Sequence, residues 1–166
     1  MILSIPRYIF QFIVLVLLQV LLLNNIHFLG FVNPYLYILF IVVFPLNAPR
    51  PLFLFVAFLL GLTLDIFTNT LGIHAFATVF VAFIRPYILS LYIPRDNHDY
   101  VIPSMSSFGQ ASFIKYAVTM VLVHHAVLFL IEAFSFRSIG FLILKILLNS
   151  LLTLLLLLPI EAYKRK

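Results

Sequence analysis

The sequence contains no cysteine and no tryptophan. Without cysteine the chain has no disulfides, no thiolate catalysis and no Cys-ligated metals. Without tryptophan, anchoring at a membrane surface falls to eight tyrosines and nineteen phenylalanines. Charged residues make up only 9% of the 166 residues, far below the quarter usual for soluble domains. A soluble protein of this composition would expose too much apolar surface, so we predict an integral membrane protein.

Apolar residues dominate the composition. They make up 64% of the chain, and the mean hydropathy is +1.21. A spanning helix needs about 20 mostly apolar residues, and the breaks between such stretches carry Asn, Pro, Ser and Thr. We therefore predict an all-α, six-span helical bundle that forms one transmembrane domain over 1–166. The predicted spans are 6–24, 32–47, 51–67, 72–92, 113–134 and 139–160. The first is too long for a signal peptide and is expected to be retained.

The distribution of Lys and Arg predicts the orientation. Counted over alternate loops and ends, Arg137 lies alone on one side. Seven cations lie on the other: Arg7, Arg50, Arg95, Lys115, Lys164, Arg165 and Lys166. Cytoplasmic loops carry the excess of positive charge, so both termini are predicted to be cytoplasmic. This topology explains the net charge of +5 better than a nucleic-acid partner does, because the cations are scattered singly. The terminal YKRK is expected to anchor anionic lipid.

Several polar residues fall inside the predicted spans, where a charge costs about 2.5–3.5 kcal/mol at the helix centre. Helical spacing gives each of four successive spans one polar stripe, and the simplest packing turns these stripes inward. We therefore predict an interior polar cluster in the outer half of the bundle. Its members are Asp65, His74, His125, Glu132, Lys145 and Asn149. Lys145 is expected to pair with Glu132 or Asp65, and Arg85-Pro86 to form a kink with a snorkelling or paired cation.

Three interpretations of this cluster stay open. Its members can satisfy one another and fix helix register, which is the commonest use of polar residues in a membrane. They can also form a binding pocket or proton path, or a catalytic site. The sequence has no nucleophile elbow, phosphate loop, HExxH or glycine-rich nucleotide motif. Adjacent His124 and His125 diverge by ~100° on a helix and are a poor metal chelate. We predict no enzyme, no cofactor and no metal.

The stretch GLTLDIFTNTLGIHAF, residues 61–76, combines small residues with one acid. Ala57, Gly61 and Asp65 share one helical face, which allows close helix packing. Asn69 and Gly72 tolerate the left-handed backbone of a sharp turn. We expect Asp65 to stand at the hinge of a helical hairpin, neutralised by a basic neighbour.

Residues 33–83 resemble the core of the rod shape-determining protein MreD family. The resemblance is carried by a proline before an apolar span, then Gly-Leu-x-x-Asp, then Leu-Gly-x-x-Ala. Here these are Pro34, Gly61, Leu62, Asp65, Leu71, Gly72 and Ala75. Many members of the family have glycine about four residues after the aspartate, where this chain has Asn69.

This resemblance implies a non-enzymatic scaffold or adaptor of the bacterial cell-elongation complex, in the inner membrane. The implied partners are MreC, MreB, RodA and its transpeptidase partner, together with membrane lipids; the process is lateral peptidoglycan synthesis. The implied fold is similar to the substrate-binding subunits of energy-coupling-factor transporters, so the alternative is a small-molecule-binding subunit of a vitamin transporter. Those subunits dock through small residues on their first span. The first span here has no Ala or Gly between 9 and 23, which argues against the alternative.

Overall fold

Five long helices form the frame of the computed structural model, which describes residues 5–26, 30–93, 102–133 and 138–164. They are α1 (Ile5–Leu21), α3 (Arg50–Thr68), α4 (Ile73–Tyr92), α6 (Gln110–Ala133) and α7 (Ile139–Tyr163). Two short helices complete the set, α2 (Ile38–Val42) and α5 (Met105–Phe108), with a 3-10 turn at Leu23–Asn25. All five long helices are long and apolar enough to cross a membrane. Their bounds lie within three residues of those predicted for spans one, three, four, five and six.

The helices alternate in direction, which gives the bundle two distinct ends. α3 packs on α4, α4 on α6, and α6 on α7. The turn between α3 and α4 lies at the end that we call the hairpin end. Arg7, Arg50 and Lys164 stand at the start of α1, the start of α3 and just after α7, which defines the opposite, basic end. The predicted loop positions Arg95, Arg137, Arg165 and Lys166 lie outside the described residues.

The predicted second span has a structure that the hydropathy does not indicate. Within residues 32–47, which we call the central segment, only the five residues of α2 are α-helical, so a sixth spanning helix is not confirmed. Its side chains from Leu36 to Phe44 are nevertheless buried, none more than 7% exposed. A helix of sixteen residues would extend about 24 Å, less than the ~30 Å hydrocarbon core. A partly extended chain covers more distance with the same residues.

The central segment runs from the hairpin end to the basic end through the middle of the bundle. Phe31, just before it, packs its ring on Phe141 near the start of α7. Phe40 packs on Phe12 of α1, and Phe44 packs on Phe53 near the start of α3. Backbone that is not helical is tolerated at membrane depth only where protein or a water-filled cavity surrounds it. The five long helices therefore act as the environment of this segment.

Candidate functional site

The turn between α3 and α4 is organised around Asp65. This residue is 3% exposed, and its carboxylate accepts hydrogen bonds from the backbone N–H groups of His74 at 3.0 Å and Ala75 at 2.8 Å. The Thr70 hydroxyl donates a third bond to it. The first N–H groups of a helix lack partners within the helix and carry partial positive charge. The N-terminus of α4 thus takes the role that we expected a basic side chain to have.

Two residues shape the backbone of this turn as predicted. Asn69, which follows the last residue of α3, is left-handed with φ 55° and ψ 41°. Gly72, before the first residue of α4, has φ 83° and no side chain with which to cap its own helix. Asp65 supplies that cap from the preceding helix. Leu71 between them is fully exposed.

Gly61 brings the two helices of the hairpin into backbone contact. A Cβ atom at this position would overlap the backbone of His74 and Ala75. One turn earlier, the Thr78 hydroxyl of α4 donates to the carbonyl oxygen of Ala57 at 2.8 Å. The small-residue face predicted at 57, 61 and 65 is thus the face of α3 on which α4 packs. Leu62, next to Gly61, is half-buried.

A buried tyrosine links two of the histidines. The hydroxyl of Tyr37, in the central segment, lies 2.8 Å from Nδ1 of His74 and 3.0 Å from Nε2 of His124. It can donate to one ring and accept from the other. His125 bonds to other groups: its Nδ1 donates to the Val121 carbonyl at 2.8 Å, and its Nε2 lies 3.4 Å from the Thr153 hydroxyl. The two adjacent histidines therefore have different partners.

At the basic end, Arg85 binds backbone rather than an acid. Its guanidinium donates to the carbonyl oxygens of Val42, at 3.2 Å, and Phe44. It also donates to the Tyr116 hydroxyl at 2.8 Å, and that hydroxyl donates to Val42 at 2.9 Å. Arg85 is 3% exposed, so it turns into the bundle and does not snorkel. Its charge is compensated by carbonyl dipoles that the end of α2 leaves without helical partners.

At the hairpin end, side chains of α1 and α7 hold the start of the central segment. Gln19 donates from its amide to the carbonyl of Pro34 at 2.9 Å. Oδ1 of Asn149 accepts from the N–H of Asn33 at 2.7 Å. The Thr153 hydroxyl accepts from the N–H of Tyr35 at 2.9 Å. With Arg85 of α4 and Tyr116 of α6, polar side chains of four helices thus bond to the backbone of the segment. They provide the hydrogen bonds that a helix would have made within itself.

The predicted pairing of Lys145 is resolved in favour of Glu132. Lys145 Nζ lies 2.8 Å from a carboxylate oxygen of Glu132 and 4.5 Å from the centre of the Phe129 ring. The Glu132 side chain is 45% exposed, so the pair lies on the protein surface. Within the described chain, the six residues predicted as one interior cluster do not meet in a single group. Asp65 and His74 are joined at the hairpin turn, His125 contacts Thr153, Asn149 bonds to the central segment, and Glu132 pairs with Lys145 at the surface.

Three members of this network are not predicted from the sequence: Tyr37, Gln19 and Tyr116. For Gln19 the sequence does contain a signal, because a carboxamide inside an apolar helix needs a hydrogen-bond partner. In the structure Gln19 is 1% exposed. The tyrosines gave none, since tyrosine is expected at membrane surfaces.

Comparisons of the chain with protein-family models, with curated proteins and with solved structures give no match.

A cleft of about 370 Å³ opens at the hairpin end. It is lined by Val20, Asn24, Asn25, Asn33, Tyr35, Phe67, Thr68, Thr70, Ile73, His74, Leu128 and Glu132. His74 connects this cleft to the interior, because the residue lines the cleft while its Nδ1 lies 2.8 Å from the Tyr37 hydroxyl. The cleft is therefore a place on this end where a solute would come close to the buried network.

Proposed function

We propose that this protein is a non-enzymatic scaffold of the bacterial cell-elongation complex in the inner membrane, supporting lateral peptidoglycan synthesis. It belongs, on this proposal, to the MreD family. Its partners are MreC, MreB, RodA and its transpeptidase partner.

One observation carries the proposal. Two buried charged groups, Asp65 and Arg85, are engaged in holding the backbone of this chain. Asp65 caps α4 through His74 and Ala75, and Arg85 binds carbonyls of the central segment. A catalytic acid or base needs to reach a substrate, which these contacts oppose. Groups used in this way instead favour one fixed arrangement of helices, as a docking platform requires.

The residues that carry the family resemblance also work together. Gly61 permits the close approach of α4, Asp65 caps it, and Gly72 forms the left-handed turn between them. These positions make one structural unit, the α3–α4 hairpin, which gives a physical reason for them to occur as one motif. This supports the resemblance without depending on overall similarity.

Depletion of the protein in its host tests the proposal. We expect rods to become round and lateral peptidoglycan insertion to fall. Pull-down from native membranes should recover MreC. Unchanged cell shape together with unchanged insertion would refute the proposal. In the depleted host, expression of the Gly61→Ala variant should not restore rod shape. Expression of Gly140→Ala should restore it, because the second glycine has open space around it.

The absence of an enzymatic role is tested separately with Asp65→Asn and Glu132→Gln. If either variant lost function while it kept its fold and its partner binding, an intramembrane enzyme would become the better hypothesis.

The hairpin-end cleft favours a second candidate, a small-molecule-binding subunit of a vitamin transporter. Its lining supplies carboxamides, hydroxyls and His74 within about 370 Å³, which lies within the size range of ligand pockets. A ligand that binds the folded state raises thermal stability by mass action. A thermal-shift screen and native mass spectrometry should then find a bound metabolite. An unresponsive, empty protein would reject this candidate.

A further inference from the structure

A second cleft lies at the basic end, on the opposite side of the molecule from the hairpin. Its volume is about 210 Å³. It is bounded by the first turns of α1, the residues before α5 and the last turn of α7. The lining consists of Arg7, Tyr8, Gln11, Val43, Ile102, Ser104, Ser106, Glu161 and Lys164. The predicted scaffold function assigns no role to this cleft.

The cleft carries net positive charge. Glu161 is 3% exposed, and its carboxylate lies 2.6 Å from Nζ of Lys164, so these two charges cancel. Arg7 has neither a hydrogen bond nor an ion pair to another described residue. The charged residues of the lining therefore sum to one positive charge, contributed by a guanidinium with free donors.

Gln11 provides an independent indication of a ligand. Its Nε2 is buried and has no hydrogen-bond partner within the described chain. Leaving such a donor unpaired costs about 1–3 kcal/mol. The contrast is Gln19, two turns further along α1, whose Nε2 donates to Asn24 and Pro34. Gln11 lines the cleft, and a residue there whose donor lacks an acceptor among the described residues fits an acceptor brought by a ligand.

We propose that the basic-end cleft binds the phosphodiester headgroup of an anionic phospholipid. One phosphodiester carries one negative charge, which matches the net charge of the lining. Its oxygens accept from the Arg7 guanidinium and from the Gln11 amide, and the Ser106 hydroxyl lies on the same rim.

The surface beside the cleft supports a lipid rather than a free phosphate. α1 continues from Arg7 with an exposed apolar face: Phe10 is 69% exposed, and Val14, two turns after Arg7 on the same face, is 38% exposed. An acyl chain attached to a headgroup in the cleft would lie along this face. A free phosphate would gain nothing from it.

Native mass spectrometry of the full chain tests this inference. The protein is released from bilayers with equal amounts of phosphatidylglycerol and phosphatidylcholine. We expect one phosphatidylglycerol to be retained preferentially. Arg7→Gln and Gln11→Met should each lower its relative occupancy about tenfold, the size of one lost hydrogen bond to a charged group. Arg50→Gln, at the same end but outside this cleft, should leave the occupancy unchanged.

Gln11→Met separates binding from folding. Since the Gln11 Nε2 has no partner among the described residues, the variant should keep its thermal midpoint in lipid-free detergent while it loses the lipid. Equal occupancy in wild type and both cleft variants would overturn the site. An equal loss with Arg50→Gln would also overturn it, by showing only general attraction to surface charge. If millimolar inorganic phosphate or glycerol phosphate displaced the lipid, the proposal of a lipid site would be overturned, and the ligand of the cleft would be a free phosphate.

Discussion

The carboxylate of Asp65 lies 2.8 Å from the backbone nitrogen of Ala75, ten residues later in the chain. An acid inside a helix that is long and apolar enough to cross a membrane is thus stabilised by the N-terminus of the next helix. The interaction compensates the negative charge with backbone dipoles and provides the N-cap that Gly72 cannot. One side chain therefore fixes both the turn and the start of α4.

Asp65→Asn should lower the stability of the folded protein. The substitution removes the charge that faces the helix N-terminus and brings a donor group towards N–H groups. We expect a loss of about 1–3 kcal/mol, the cost of a disrupted hydrogen bond to a charged group. Thermal unfolding in detergent measures it. Thr63→Val is the matched control on α3, because the Thr63 hydroxyl donates to the Leu59 carbonyl of its own helix. Equal midpoints for the two variants would contradict the capping role.

Gly61→Ala should destabilise the α3–α4 hairpin although alanine is the better helix former. The added methyl group would overlap the backbone of His74 and Ala75, and backbone cannot yield as a flexible side chain can. Overpacking of this kind costs about 1–3 kcal/mol or more. Gly140→Ala meets no atom within 4 Å and should be neutral or gain up to about 1 kcal/mol. The order of the two thermal midpoints checks the prediction, and a reversed order would disprove the close contact.

Arg85→Lys should be destabilising in spite of the retained charge. A lysine ammonium lacks the planar fork that reaches the carbonyls of Val42 and Phe44 and the Tyr116 hydroxyl together. We expect a lower thermal midpoint than for Tyr116→Phe, which removes one hydroxyl. Arg50→Lys serves as the control, since Arg50 lies over the Phe83 ring at an exposed position. A midpoint for Arg85→Lys equal to that of the control would show that charge alone suffices.

The pair of Lys145 and Glu132 should couple measurably but weakly. Their nitrogen and oxygen atoms are 2.8 Å apart, and their side chains are 20% and 45% exposed. Exposed pairs contribute about 0.2–1 kcal/mol. Lys145→Met alone should therefore destabilise somewhat more than Lys145→Met combined with Glu132→Gln. A double-mutant cycle measures the difference, and strictly additive effects would exclude the pairing.

Much of the fold follows from local sequence, and the limits have a physical cause. Long apolar runs predict α3, α4, α6 and α7, because a helix formed by each run makes the hydrogen bonds of its own backbone. The turn at Asn69 and Gly72 follows equally from residues that accept positive φ. The central segment cannot be predicted in this way, since its hydrogen bonds come from Gln19, Arg85 and Asn149, which lie far away in the chain.

The same limit explains the candidate site. Spacing along each helix correctly places Asp65, His74, His125 and Asn149 in the interior, because the polar stripe of a helix is a local property. It does not show which stripes meet. Lys145 and Glu132 lie near helix ends and reach the surface, whereas Tyr37 joins His74 to His124 from a segment whose path the pattern does not reveal.

The way in which the central segment is held also constrains the order of assembly. Its first N–H groups bond to Asn149 and Thr153, which belong to α7, the last of the described helices in chain order. Until α7 enters the membrane, the backbone at Asn33 and Tyr35 lacks these acceptors. The earlier helices can therefore form in sequence, but the core is completed only once α7 has been synthesised. A C-terminally truncated chain would leave the interior of the bundle unfinished and should be recognised by membrane quality control.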